Sequence, residues 1–128
     1  PSERNIESMI EYLVEQGISN RTVLERDGSP QRLAAEFIIN SDELQLDIPA
    51  DPTTQEGYMF MFRYVMALNY HAMTGVQWNN RLNFLSPLDT CEWKVPRPPQ
   101  YAGVQCDTDG WPRTVDFSTS GIEFCVSY

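Results

Sequence analysis

The residues of this chain that could do chemistry are few, and their types limit what that chemistry would be. There are three cysteines, Cys91, Cys106 and Cys125, and one histidine, His71. No two cysteines form a CxxC pair, and one histidine cannot complete a zinc set, so no metal and no cofactor are expected. Cys91 and Cys106 flank a proline-rich stretch, and a bridge between them would close about 16 residues, worth roughly 3 kcal/mol by restricting the unfolded chain. Cys125 is the odd one out. It reads first as a buried free thiol in a strand, with a bond to a partner or to a further cysteine downstream as the alternative.

A Ser-His-Asp or Cys-His site would have to be built around His71. That residue falls in the last turns of an apolar helix, where a structural histidine is the better reading. Asp107-Thr108-Asp109-Gly110 opens like a calcium loop but lacks the later ligands, and reads as a turn. No Gly-rich phosphate loop is present, and no spacing singles out a pair of carboxylates for glycoside hydrolysis. Met59, Met61, Met66 and Met73 read as core filler rather than a cofactor box. Asn20-Arg21-Thr22 is the only N-glycosylation sequon, placed at an exposed turn. The expectation is a protein that is not an enzyme.

Charge narrows the partners. The net charge is -9, with one lysine (Lys94) and eight scattered arginines among 128 residues. Phosphate binding needs clustered cations, so nucleic acid is not expected as a partner. Anionic membrane surfaces are disfavoured too, and the longest apolar run, 58–70, is interrupted by Arg63 and Asn69. Chain length and a 41% hydrophobic content fit one compact domain over 1–128, with a helical layer over 1–75 and a loop-rich, short-strand part over 76–128. The chain begins at Pro1 without a methionine or an apolar leader, and is expected to be a processed product or a piece of a longer one.

The elements that must position these residues are punctuated clearly in the first half. Ser2 is the expected cap of a first helix, whose stripe is Ile6, Met9, Ile10, Leu13 and Val14, ended by Gly17. A stub follows over 20–25. Ser29-Pro30 starts a second helix with Leu33, Ala34, Phe37 and Ile38 inward, ending near Asn40-Ser41-Asp42. The acidic stretch 42–51 reads as a loop pinned by Leu44, Leu46 and Ile48. Asp51-Pro52 repeats the cap-plus-proline device, and the third helix is expected over about 52–73, apolar on nearly every side and therefore central. Beyond Gly75 the prolines Pro87, Pro96, Pro98 and Pro99 cluster, and short extended runs fall at 104–106, 114–117 and 122–127, with Asp109-Gly110 turning between the first two. The fold class is α+β: about three packed helices, then a disulfide-bonded aromatic loop region and two or three short strands.

The order of several pieces resembles a known family. Ser29-Pro30-Gln31 precedes a helix carrying Arg63-Tyr64-Val65-Met66-Ala67-Leu68-Asn69-Tyr70. Thr74-Gly75, Trp78, Asn79, Phe84-Leu85-Ser86, Cys91-Glu92-Trp93, Gly103-Val104-Gln105-Cys106-Asp107 and Asp109-Gly110 follow. This is similar to the N-terminal capping region of leucine-rich-repeat proteins of plants and algae, with its RYALA-x-LYY-x-TGG-x-x-W helix and turn and its C-x-W-x-GV-x-C segment. The resemblance covers residues 29–117. It implies that Cys91 and Cys106 are bonded, that Trp78 and Trp93 pack over the end of the core, and that 115–117 is the first repeat strand. The chain departs from the pattern at Val76, in place of the second glycine, and in the proline-rich insertion 94–101. No internal repeat of 20–29 residues is visible.

A solenoid's first repeat has an open hydrophobic end that a cap must cover with a polar outer face. The resemblance therefore implies a non-catalytic protein-interaction domain, separated or processed from a longer chain. Its expected surface is the edge strand near 114–127 with Trp78, Trp93, Tyr101, Trp111, Phe117 and Phe124 as anchors. The alternative is a small structural subunit of a larger membrane or organellar assembly, or self-association through an edge strand. A bridge and a sequon together point to a secreted or cell-surface glycoprotein, or to an oxidising organelle lumen.

Overall fold

The computed structural model describes residues 4–73, 82–97, 100–116 and 125–127. Trp78, Phe117 and Phe124 lie outside these residues, as does the side chain of Cys125. The architecture is α+β, a helical layer followed by an antiparallel sheet.

Helix α1 spans Ile6–Glu15 and is capped by Asn5, whose side chain accepts from the Ser8 amide at 2.8 Å. Ser2, the expected cap, lies outside the described residues. Met9, Ile10, Tyr12 and Leu13 are buried, while Val14 is left exposed at the edge of the stripe. At the C-terminus Gly17 takes φ +72°, and Ile18 and Gly17 donate to Leu13 and Val14, the double bond of a Schellman ending. The expected stub is α2, Arg21–Leu24, capped by Asn20.

Helix α3, Pro30–Glu36, starts as expected, with Ser29 accepting from the Arg32 amide and Pro30 in the first turn. It then widens into a π-turn over Phe37–Ser41, closed by the Asp42 amide donating to Phe37 O at 2.7 Å. The widening keeps Phe37, Ile38 and Ile39 inward and delivers Asp42 into the core.

Helix α4 runs over Gln55–Ala72 and is capped by Thr54, three residues later than the Asp51-Pro52 device suggests. Asp51 instead closes a local turn, accepting from both the amide and the hydroxyl of Thr53, at 2.9 and 2.6 Å. Those bonds hold its carboxyl below the usual range. Gly57 is required beneath this turn, because a Cβ there would stand 2.6 Å from Asp51 O. Phe60, Phe62, Tyr64, Met66, Ala67 and Tyr70 are buried, which makes α4 the central helix. Of the loop 42–51, Ile48 is buried and Leu46 packs against the core, whereas Leu44 is exposed.

The sheet is a four-stranded antiparallel meander in the order β1 Lys94–Arg97, β2 Gln100–Cys106, β3 Pro112–Asp116 and β4 Cys125–Ser127. Residues 94–97 and 100–101 are thus strand, paired so that Lys94 faces Gly103 and Arg97 faces Gln100. Pro96 has no N–H to give, and β1 accommodates it as an edge strand. Gly103, at φ +102°, is fixed by close approach: a Cβ there would run into the Trp93 carbonyl oxygen. One hydrophobic cluster runs from Met9 and Ile10 through α4 to Trp93, Ala102, Val104 and Val115.

Candidate interaction surface

The residue that organises the junction of the two layers is Arg63, placed by α4 in the interior and fully buried. A buried guanidinium is tolerable only if its donors are met. Here all are. Nε and one terminal nitrogen grip the Asp42 carboxylate at 2.6 and 2.9 Å, a bidentate pair with both side chains buried. The same nitrogen reaches Ser86 O at 2.9 Å, and the other donates to Leu88 O at 2.7 Å and Thr90 Oγ1 at 3.1 Å.

The Arg63 guanidinium also lies 4.4 Å from the Trp93 ring centroid and 5.9 Å from that of Phe37. Trp93 in turn packs on Phe84 and Phe37, and its indole N–H reaches Ser86 O at 3.3 Å. One side chain therefore joins α4, the end of α3 and the segment 82–93. That segment needs joining, because Leu82, Asn83 and Leu85 all hold left-handed backbone, disfavoured for leucine. Burial of Leu82 and Phe84 offsets that strain.

Trp93 is accordingly not a surface anchor. Its relative exposure is 0%, so no partner can reach it without opening the core. The cysteines flanking it behave as the resemblance implies: Cys91 and Cys106 are bonded, with Cα atoms 5.7 Å apart. The bridge ties the short 3-10 turn Thr90–Glu92 to the end of β2.

Among the described residues, the aromatic groups that reach solvent include Tyr101, at 46% exposure, and Tyr58, at 41%, with Trp111 half-buried. Lys94 lies opposite Gly103 and so shares a face with Tyr101 two residues on, and its Nζ sits 4.6 Å over the tyrosine ring. Trp111 stands edge-on to Tyr58, centroids 5.2 Å apart, and Tyr58 stacks on buried Phe62. Gln55 clamps this contact by donating to Asp109 O at 2.8 Å.

The Asp107 turn beneath Trp111 is built by its carboxylate, which accepts from the Trp111 and Asp109 amides and pairs with Arg113 at 2.5 Å. These bonds, the Trp111 amide foremost, pull the Asp107 carboxyl below its usual range. No group of three or more His, Cys, Asp or Glu side chains stands ready for a metal among the described residues.

His71 lies in the last turn of α4 with its ring edge-on to Tyr70. Burial lowers its pKa, and its Nε2 has no hydrogen-bond partner among the described residues. Asn20 is exposed and serves as the cap of α2, accepting from the Val23 amide at 3.0 Å.

Arg63, Asp42, Tyr58 and Lys94 were not among the residues singled out from sequence for this surface. The signal for Arg63 is present, since a lone cation inside an apolar helix demands a buried acceptor. Its partner could not be chosen among the carboxylates of 42–51 without the fold. No helix among the described residues is long and apolar enough to cross a membrane. No family model matches this chain, and no curated protein or solved structure matches it either.

Proposed function

We propose that the chain is a non-catalytic protein-interaction domain of leucine-rich-repeat-cap type, which covers the open end of a repeat stack or another protein's strand through one edge of its sheet. The observation that carries the reading is the inequality of the two edges. β1 holds Pro96 between the charged Lys94 and Arg97 and their proline-rich neighbours, features that blunt an edge against further pairing. Among the described residues the opposite edge is β4, Cys125–Ser127, with no proline and no charge within it. Strand addition is therefore favoured on that side. Val115, buried on β3, pairs in register with Val126 of β4.

The disulfide is compatible with an oxidising or extracellular environment. Secretion extends that statement, and so does an oxidising organelle lumen. Tyr101 and the Tyr58–Trp111 pair are the anchors beside the sheet.

The test is a fusion of the chain to a consensus leucine-rich-repeat array stripped of its own N-terminal cap. The cap reading expects a soluble monomer that melts in one transition. Val126→Lys, which puts a charge into the open edge, should split that transition in two. Independent melting of the two parts without the substitution overturns the reading. Tyr101→Ala with Trp111→Ala should weaken binding to a strand-donating partner while leaving the fold intact.

A further inference from the structure

Away from the sheet, α1, α2 and α4 leave a shallow groove of about 570 Å³ whose wall includes the sequon asparagine. Its lining mixes the apolar Val14, Ile18, Val23 and Leu68 with the polar Ser19, Asn20, Arg21 and Gln31. Ile18 is 41% exposed and Val14 is also exposed, beyond what the α1 stripe requires. A lining that mixes apolar and hydrogen-bonding groups matches a sugar, which has an apolar ring face and polar edges, better than a purely apolar peptide.

The geometry of Asn20 selects the attachment point. Its Oδ1 accepts from the Val23 amide and is committed to the cap, which leaves Nδ2 as the atom open to substitution. Asn20 and Thr22 are both exposed. We propose that Asn20 carries an N-linked glycan and that its first N-acetylglucosamine lies in this groove over Ile18 and Leu68, covering their apolar surface. The proposal rests on the secretory reading above.

In the coupling, Nδ2 of Asn20 attacks C1 of the reducing-end N-acetylglucosamine of a lipid-pyrophosphate-linked oligosaccharide. The C1–O bond breaks, the lipid pyrophosphate leaves with the electron pair, and the proton lost from Nδ2 passes to base. The product keeps the carbonyl Oδ1, so the cap of α2 survives glycosylation.

The experiment is secretion of the full chain from a glycosylating eukaryotic host, with intact mass and glycopeptide mass spectrometry. Occupancy of Asn20 is expected, and a bare Asn20 overturns the site. Choosing the host separates this outcome from the secretory reading, because a competent sequon is modified whatever the protein's own address. Thr22→Ala removes the sequon while keeping the Asn20 cap.

Enzymatic trimming to a single N-acetylglucosamine should retain a rise in Tm of roughly 4 °C over Thr22→Ala protein. Ile18→Ser should abolish that rise without changing occupancy. Equal Tm with and without the sugar, or Ile18-dependent dimerisation of the bare protein in sedimentation, overturns the sugar as the occupant.

Discussion

Two arginine–aspartate pairs hold the two halves of this molecule, with the same chemistry in opposite surroundings. Arg63–Asp42 joins α4 to the end of α3 with both side chains at 0% exposure. Arg113–Asp107 braces the β2–β3 turn with side chains exposed by 63% and 23%. An ion pair is worth little at a surface, where water screens it and two long side chains must be ordered. Inside, its worth lies in what breaking it leaves behind, an unpartnered buried charge. The buried pair is therefore the structural keystone of the helical layer, and the exposed one a local brace. The sheet half takes its cross-link from the Cys91–Cys106 bond instead.

The largest expected effect tests the buried side of that comparison. Arg63→Met should destabilise the fold by about 3–5 kcal/mol, because Asp42 is left charged and unpaired in the interior. Denaturant unfolding measures it. Adding Asp42→Leu should recover part of the loss, as apolar replacement of both partners often does. Recovery stays incomplete here, since Ser86 O, Leu88 O and Thr90 Oγ1 still lose their donors. Full recovery in the double variant would show that the loop contacts contribute nothing.

Next comes the sheet. Replacing both Cys91 and Cys106 by serine should cost about 3 kcal/mol. Hydrogen exchange should rise first at β2 and the Thr90–Glu92 turn, with α1 and α4 changing less. Uniform loss across both layers would mean that the bridge supports the whole core. Gly103→Ala follows at about 2 kcal/mol, from a side chain forced into left-handed backbone against the Trp93 carbonyl. A loss as large as that of the cysteine variant would show that the β1–β2 approach matters as much as the cross-link.

How much of this could be read from the sequence follows the same division. Ser29-Pro30 is a cap whose partners lie within three residues, and it forms as expected. The identical device at Asp51-Pro52 fails because Thr53 captures the Asp51 carboxylate, and the helix waits for Thr54. Residues 104–106 of β2, 114–116 of β3 and the whole of β4 announce themselves by composition. β1 does not, since Pro96 within Lys94–Arg97 reads as loop until an edge position makes it harmless.

The candidate surface divides likewise. Tyr101 is exposed as expected, but Trp93 is buried by a guanidinium thirty residues upstream in the chain. Residue type signals an anchor; only tertiary packing says which way it faces. The Arg63–Asp42 contact spans 21 residues of sequence and starts from the residue that closes a π-turn, and no local periodicity encodes it.

The smallest effect belongs to the exposed pair. Arg113→Ala should shift Tm by less than about 2 °C at neutral pH, and added salt should shrink even that. Asp107 adds a pH dependence whose sign is fixed. Its carboxyl is held below the unfolded value by the Trp111 amide first, and also by Arg113 and the Asp109 amide. A depressed carboxyl stabilises the fold above the unfolded pKa of about 3.9, and that contribution is lost as pH falls through the lower folded value. Asp107→Asn should therefore flatten the acid limb of the Tm–pH curve and leave the neutral slope unchanged. Because the Trp111 and Asp109 amides remain, Arg113→Ala should leave part of that limb in place. If Arg113→Ala flattened it as fully as Asp107→Asn, the surface pair would be holding the turn, and the contrast with the buried pair would fail.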